Sequence, residues 1–269
     1  MDPSGLLTVI AGTGIVDSLG DGGPATLASL FYPEAIALTT TGDLLFFEGA
    51  LYVRDPDSPY PILIKASRRI RRINLGTGIV SGLPATGPGD PVDLLVGRSG
   101  ALFVTKRYQI YDYDPGQVHQ VDSATNIVSH IAGNGSLFGG PLGDGMAATA
   151  VSLLGFLHLA EGAGGPLLLS DPEHSRIRSI DLSIGLIGTY AGTGISGYSG
   201  DGGPALAADL VPGAIATDTA GNLYLYSDYR LRRVEAATGI ISMVAGDGTR
   251  GSTGDGGPAA EARLEEILR

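Results

Sequence analysis

Short apolar segments alternate with glycine-rich and polar segments along the chain, and the alternation repeats. In one copy, an apolar run at residues 214–218 (AIATD) precedes a run rich in β-forming side chains at residues 222–228 (NLYLYSD). Two further runs follow after short turns, at residues 230–235 (RLRRVE) and 240–246 (IISMVAG). Runs of this length that are bounded by Gly, Asn and Thr-Gly are typical of β-strands. The pattern therefore predicts four strands in each copy.

A glycine-rich phrase separates the copies. It contains AG-x-G, then GDG, then a segment that is rich in alanine, and it begins at Ala11, Ala132, Ala191 and Ala245. A second phrase, similar to SRIRSIDLSIGLI, marks the third and fourth strands. A degenerate copy of this phrase begins at His119. The interval between the first two glycine-rich phrases is about twice as long as the others. A degenerate unit that has lost its GDGGPA loop is therefore predicted between Val80 and Val121.

The repeat length selects the architecture. A period near 54 residues with four strands fits one blade of a β-propeller, whereas one rung of a β-helix needs only about 20 residues. The predicted fold is all-β, a β-propeller with about four full blades plus partial terminal repeats. We predict one domain over residues 1–269. Its units are expected at approximately 6–77, 78–125, 126–184 and 185–238, with a partial unit at 239–269.

The joined motifs resemble a known family. GDGGPAxxAxL, then P-x-AIAxD-x-x-GNLYxxD, then RIRR-[IV]-[DE]-x-x-TG-I-[IV]-S-x-VAG is similar to the long variant of the NHL repeat of secreted propellers and teneurin-like ectodomains. The resemblance covers nearly the whole chain, closely in the first, third and fourth units and poorly in the second. It implies four-stranded propeller blades and an extracellular or cell-surface location. It does not imply one activity, because such propellers include protein-binding and carbohydrate-binding scaffolds, RNA binders and a few lyases and hydrolases.

Composition excludes several classes of site. With 28 acidic and 17 basic residues, the net charge of −11 repels nucleic acid. The absence of cysteine excludes disulfides and thiolate metal sites. The most apolar window, residues 151–160, is too short for a membrane span, which needs about 20 residues. No signal peptide is expected in the numbered chain, because its first residues carry no basic region.

An acidic residue recurs in every glycine-rich loop. These residues are Asp21, Asp144, Asp201 and Asp255. They could form a ring of Ca²⁺ ligands, but each loop offers only one acid, and Ca²⁺ takes six to eight oxygens. We favour a role in the turns and at the start of the short helix-like segment that follows.

Arginines recur in the second phrase. The run of residues 65–72 (KASRRIRR) has counterparts in the other units at Arg176, Arg178, Arg230, Arg232 and Arg233. We expect these arginines to pair with acids of the neighbouring unit, between blades. A patch that binds an anionic ligand is the alternative.

The first unit carries an insertion, residues 49–67, between its second and third strands. Function is often carried by such loops. The candidate residues for partner binding are Tyr52, Arg54, Tyr60 and Lys65. A tolerated surface insertion without function is the alternative.

The histidines offer one candidate for acid–base or metal chemistry. Asp171, Glu173 and His174 are three titratable residues in one loop, although the same loop is also simply a turn between strands. Asn134 begins the sequence Asn-Gly-Ser, which accepts N-glycans in a eukaryotic secretory setting.

We therefore favour a non-enzymatic scaffold at the cell surface or outside the cell that binds proteins or glycans, with no cofactor, nucleic acid or membrane span. The alternatives are a lyase or hydrolase with a metal in the central channel, and an RNA-binding propeller. The ends of the chain do not complete a blade, since Leu6–Ile10 (LLTVI) matches an outer strand without inner strands of its own. Unpaired strands can pair with another chain, so a homo-oligomer or filament is a further hypothesis.

Overall fold

The fold is an all-β propeller arrangement of four blades, as the repeat predicts. Each blade is an antiparallel sheet whose strands pair in chain order, because short turns join consecutive strands. The third sheet gains a fifth, two-residue strand from its glycine-rich loop. A computed structural model describes residues 6–54, 61–83, 90–107, 116–122, 125, 127–136, 143–155 and 157–265.

The strand bounds follow the repeat. The first sheet contains β1 (Pro33–Leu38), β2 (Leu44–Arg54), β3 (Pro61–Asn74) and β4 (Ile79–Gly82). The second contains β5 (Asp90–Val96), β6 (Leu102–Arg107), β7 (Gly116–Asp122) and β8 (Ile127–Ala132). The third contains β9 (Met146–Ala147), β10 (Leu159–Glu161), β11 (Leu167–Asp171), β12 (Arg176–Asp181) and β13 (Leu186–Ala191). The fourth contains β14 (Pro212–Thr217), β15 (Leu223–Ser227), β16 (Arg230–Val234) and β17 (Ile241–Ala245).

Three of the four glycine-rich loops fold onto the outer strand of the sheet that follows them. The Gly22 N–H donates to the Val80 carbonyl and the Gly202 N–H donates to the Ile241 carbonyl, both at 2.8 Å. Gly200 is needed in this loop, because its φ is +86° and a Cβ there would lie 2.7 Å from the Ala208 Cα. The loop is thereby held against its own blade.

The helix-like segment predicted after each loop is a single 3₁₀ turn. Pro24, Pro204 and Pro258 precede three of these turns, with φ near −60°. The described 3₁₀ turns are Ala25–Leu27, Ala148–Ala150, Pro172–His174, Ala205–Ala207 and Ala259–Glu261. Within the described ranges no helix has the length and apolar character to cross a membrane.

The chain contacts divide into two compact units, each with its own apolar core. The first unit comprises Met1–Val104 and Gln120–Ser129, and the second comprises Thr105–His119 and His130–Arg269. Strands supply both cores through alternate inward-facing positions. The first core includes Leu45, Phe47, Ile70, Leu94, Leu102 and Val104. The second includes Leu168, Ile177, Leu210, Leu223, Leu225 and Ile241.

The insertion in the first repeat, residues 49–67, lengthens two strands where the sequence predicts a loop. β2 continues to Arg54 and β3 begins at Pro61, and the two pair as far as Arg54↔Pro61. The physical reason lies in the composition of the insertion. Its two sides, LYV and ILI, are rich in aromatic and β-branched residues, whereas the turn-forming sequence DPDSPY lies between them.

Candidate functional site

Three of the recurring arginines form ion pairs within three of the sheets. They occupy one repeat position on the third main strand of the first, third and fourth sheets, and all three are fully buried. Each pairs with the aspartate of the loop that precedes its own sheet. The pairs are Arg71–Asp21 at 2.8 Å, Arg178–Asp144 at 3.0 Å and Arg232–Asp201 at 2.8 Å.

The prediction that these arginines pair with the neighbouring unit is therefore wrong. Asp21 and Arg71 belong to one unit, as do Asp201 and Arg232. The reason is the path of the loop, which returns to the outer strand of the sheet that follows it and brings its aspartate to that sheet. These ion pairs therefore connect a loop and a strand of the same blade.

In the first and third sheets, a second acidic partner comes from the fifth residue of the preceding strand. In the first sheet, Glu48 is fully buried and lies 2.9 Å from Arg71. In the third sheet, Asp171 is also fully buried and lies 3.7 Å from Arg178. The fourth sheet has Ser227 at this position. There Arg232 donates to the carbonyls of Ser199 at 2.6 Å and Asp209 at 3.0 Å.

The loop aspartates provide a direct test of the cation-site hypothesis. Asp201→Ala is expected to lower the free energy of unfolding by about 1–3 kcal/mol, because Arg232 stays buried and loses its charged partner. Asp255→Ala is the matched control, since Asp255 is exposed in the last loop, and a change within about 0.5 kcal/mol is expected. Urea unfolding of both variants, with and without Ca²⁺, measures the difference. Equal losses, or a loss in the parent's stability when Ca²⁺ is removed, would contradict the ion-pair role.

The histidine loop predicted as an acid–base or metal candidate is the 3₁₀ turn between β11 and β12. His174 Nδ1 lies 2.8 Å from Asp171 Oδ1. The Asp171 carboxylate is thus shared between His174 and the buried Arg178, whereas Glu173 is exposed. Among the described residues, no three His, Asp or Glu side chains are placed to hold one metal ion. A catalytic role for this loop stays a prediction.

The other candidate residues lie on three segments. Tyr52 and Arg54 are on β2 and Lys65 is on β3, while Tyr60 lies outside the described residues. Asn134 is exposed, its Nδ2 donates to the Ala150 carbonyl at 3.2 Å, and its Oδ1 accepts from the Ser136 N–H at 2.9 Å. Roles for these residues in binding and glycosylation stay predictions.

The second sheet carries a basic cluster that the sequence interpretation missed. Lys106 is the fifth residue of β6, the position that Glu48 and Asp171 hold on their strands. His119 on β7 begins the degenerate copy of the second phrase and stands at the position that Arg178 has on β12. His130 on β8 takes the place that Thr189 has on β13. Aligning the degenerate copy with the other copies, position by position, would have revealed these exchanges. Lysine replaces the acid of β2 and β11, and histidine replaces the buried arginine.

Burial controls the electrostatics of this cluster. Lys106 is only 2% exposed, and among the described residues no carboxylate forms an ion pair with it. Burial lowers the pKa of Lys106 to about 8. Burial also lowers the pKa of His119 to about 4, with smaller contributions from the positive charges of Lys106 and His130.

The two histidines differ in their hydrogen bonds. Their rings lie 5.3 Å apart between centroids. His130 Nε2 lies 2.9 Å from the Ala132 carbonyl and 2.6 Å from the Gly133 carbonyl, so this nitrogen carries a proton and donates it. His119 Nδ1 is buried and has no hydrogen-bond partner within the described part of the chain. An unsatisfied buried polar atom costs free energy, so the His119 ring is poised to accept a further polar partner.

Comparison with known proteins identifies the architecture. No protein-family model and no curated protein sequence matches the chain. An auxiliary nutrient binding protein from Bacteroides ovatus has a TM-score of 0.51 at 11% identity, over 89% of this chain and 53% of that one. A gluconolactonase from Xanthomonas campestris has a TM-score of 0.50 at 15% identity, over 80% and 62%. Virginiamycin B lyase from Staphylococcus aureus has a TM-score of 0.46 at 15% identity, over 78% and 54%.

These likenesses bear on the fold alone, because identity is low. The structural neighbours are β-propeller proteins, which agrees with the four sheets described above. This chain spans only 53% to 62% of the length of the two structures with the higher TM-scores. A binding protein and an enzyme share the fold, so function must be argued from the residues of this chain.

Proposed function

We propose that the protein is a non-enzymatic NHL-type scaffold that acts outside the cell or at its surface and binds proteins or glycans. The observation that supports this proposal is the long hairpin of the first sheet. We name residues 50–54 of β2 and 61–66 of β3 the ribbon. Loops and extensions that a rigid propeller holds in place commonly carry binding function.

The ribbon distinguishes the first blade from the third and fourth. β2 and β3 have 11 and 14 residues, whereas β15 and β16 have five each. Its strands pair from Ala50↔Ala66 to Arg54↔Pro61. The strands that flank β2 and β3 stop earlier. β1 pairs with β2 only as far as Glu48, and β4 pairs with β3 only as far as Arg71.

Both edges of the ribbon are therefore open among the residues that the structure describes. An open strand edge offers unpaired N–H and carbonyl groups to the backbone of a partner. Tyr52, Arg54 and Lys65 belong to the ribbon, and Tyr60 lies in the inserted sequence between its two strands. Aromatic and arginine side chains of this kind are enriched at protein interfaces.

Shortening the ribbon tests the proposal. In the test variant, residues 51–65 are replaced by Asn-Gly, a two-residue turn that suits the paired positions Ala50 and Ala66. The parent, this variant and Asp255→Ala as a surface control are screened against a glycan array and a panel of purified extracellular domains. We expect ligands that bind the parent and the control and lose at least about tenfold in affinity for the shortened variant, a loss of about 1.4 kcal/mol. Unchanged binding by a shortened variant with parental unfolding behaviour would reject the ribbon as the binding element.

Self-association is the second part of the proposal, and the exposed N-terminal segment supports it. Leu6, Leu7, Val9 and Ile10 are between 53% and 79% exposed. Their sequence, LLTVIAG, matches IISMVAG in the fourth unit, where Ile241 is fully buried on the outer strand β17. An apolar segment with the sequence of an outer strand is suited to pairing with a second copy of the chain.

Deleting residues 1–12 tests the self-association. We expect the parent to form dimers or larger assemblies and the truncated chain to be monomeric, because the exposed apolar segment is the proposed contact. Multi-angle light scattering after gel filtration measures both masses over a range of concentrations. A parent that is monomeric at every concentration would rule out the assembly.

A further inference from the structure

In the third sheet, side chains on two strands hold the carboxylate of the loop aspartate. Asp144 Oδ1 accepts from Arg178 Nη2 and from Thr189 Oγ1, both at 3.0 Å. One carboxylate oxygen is thus held by two neighbouring strands. The corresponding positions in the second sheet are His119 and His130, whose rings lie 5.3 Å apart. The two imidazoles therefore hold the repeat positions whose side chains bind a carboxylate in the third sheet.

The second unit has no aspartate in the segment that corresponds to the glycine-rich loop. β4 ends at Gly82 and β5 begins at Asp90. The residues between them, 83–89, have the sequence LPATGPG, which contains no acidic residue, whereas the loop of the fourth unit carries Asp201. The second acid of the network is also replaced, because Lys106 holds the position of Glu48 and Asp171. At these two repeat positions the second unit therefore has no acid, whereas Lys106, His119 and His130 offer nitrogen donors.

We propose that Lys106, His119 and His130 form a binding site for a small oxyanion, a carboxylate or phosphate group. The bound group would accept from the Lys106 ammonium and from the imidazole of His119, in the role that the loop aspartate has in the other blades. The site is independent of the ribbon, so each can fail without the other.

Two observations support an anionic ligand over a structural role. The Lys106 side chain is 2% exposed and forms no ion pair with a carboxylate among the described residues, and a buried charge without a partner is unfavourable. His119 Nδ1 is likewise buried without a hydrogen bond in that part of the chain. One oxyanion would satisfy both groups. Among the described residues, the charges that act on His119 are those of Lys106 and His130.

The sequence makes the experiment unusually specific, because the chain contains only two lysines, Lys65 and Lys106. The full chain is labelled with ¹³C at the lysine Cε and titrated at pH 7 with inorganic phosphate, then with acetate, against chloride at equal ionic strength. We expect the Lys106 resonance to shift in a saturable way and the Lys65 resonance to stay unchanged. No shift, or an equal and non-saturating shift of both resonances, would overturn the proposal. Saturation by phosphate alone, acetate alone or both identifies which oxyanion the site accepts.

Variants supply an independent readout. Lys106→Met keeps the length of the side chain and removes its charge, and His119→Phe keeps a ring and removes its nitrogens. Arg250→Met is the control, because it removes the cation of an exposed ion pair outside both proposed sites. Calorimetric titration with phosphate or acetate, whichever saturates, is expected to show at least about tenfold weaker binding to the first two variants, as for loss of a charged hydrogen bond. The control is expected to bind like the parent. Parental affinity in Lys106→Met would overturn the assignment, and if a variant fails to fold, the lysine resonances of the parent still decide it.

Discussion

Arg71→Met is expected to lower the free energy of unfolding by about 3–5 kcal/mol, because it leaves a buried carboxylate without its cation. Glu48 is fully buried and lies 2.9 Å from Arg71 Nη1. Arg71 also donates to the carbonyls of Ser29 at 2.8 Å and Leu19 at 3.1 Å, which tie the glycine-rich loop to the sheet. Methionine restores the bulk of the side chain but none of these bonds. Urea unfolding at pH 7 measures the loss.

Arg69→Met is the matched control on the same strand. Arg69 pairs with Asp21, but both side chains are about one-third exposed, so a loss below about 1 kcal/mol is expected. Arg71→Met combined with Glu48→Leu is expected to recover part of the stability lost in the single variant, because the uncompensated charge is then gone. Equal losses at Arg69 and Arg71 would show that burial of the ion pair does not determine its contribution. A double variant less stable than Arg71→Met would contradict the charge argument.

The repeat period predicts most of the fold, because local patterning and turn residues agree with the tertiary structure. The four strands read from residues 214–246 correspond to β14 to β17 within a residue or two at most boundaries. Ala205–Ala207 is the short turn predicted after Pro204. Glycine at position 200 satisfies both a positive φ and a close approach to Ala208. These requirements are local, so the sequence contains them directly.

The sequence predicts the ion-pair partners of charged side chains much less well than it predicts the strands. Two strands, β14 and β15, separate the loop with Asp201 from the strand that carries Arg232. The return of the loop to β17 brings the two side chains together. A repeat can show that an aspartate and an arginine recur together, but several pairings satisfy that pattern. The basic cluster is different, since Lys106 and His119 are visible as departures from the repeat. A departure at a buried position is informative because it replaces charges that the other blades retain.

Lys106→Met is expected to raise the free energy of unfolding by about 1–3 kcal/mol at pH 7 in a buffer without phosphate or carboxylate. The side chain is 2% exposed, and burial lowers its pKa from 10.5 to about 8. Folding therefore disfavours the charged form of Lys106, which is the dominant form in the unfolded chain below pH 10.5. Methionine has a flexible side chain of similar length and carries no charge, so it removes this penalty and fills the same space.

The pH dependence separates this explanation from better packing alone. Between pH 8 and pH 10.5 the unfolded parent binds more protons at Lys106 than the folded parent, so its stability rises with pH over this window. The advantage of Lys106→Met is largest below pH 8 and should shrink as the pH approaches 10.5. Burial raises the pKa of Tyr190, and other tyrosines also titrate in this range. Their contributions occur in both proteins and cancel in the difference.

Lys65→Met completes the experiment, because it removes the other lysine of the chain. Its urea unfolding curves from pH 7 to pH 10.5 are expected to follow those of the parent, with no convergence of its own. If Lys106→Met keeps a constant advantage across the range, its gain comes from packing and Lys106 is charged in the folded protein at no cost. If instead the variant is less stable than the parent at pH 7, the ammonium has a stabilising partner in the folded chain. The site in the second blade would then be complete without an external anion, so this stability measurement bears directly on the binding proposal.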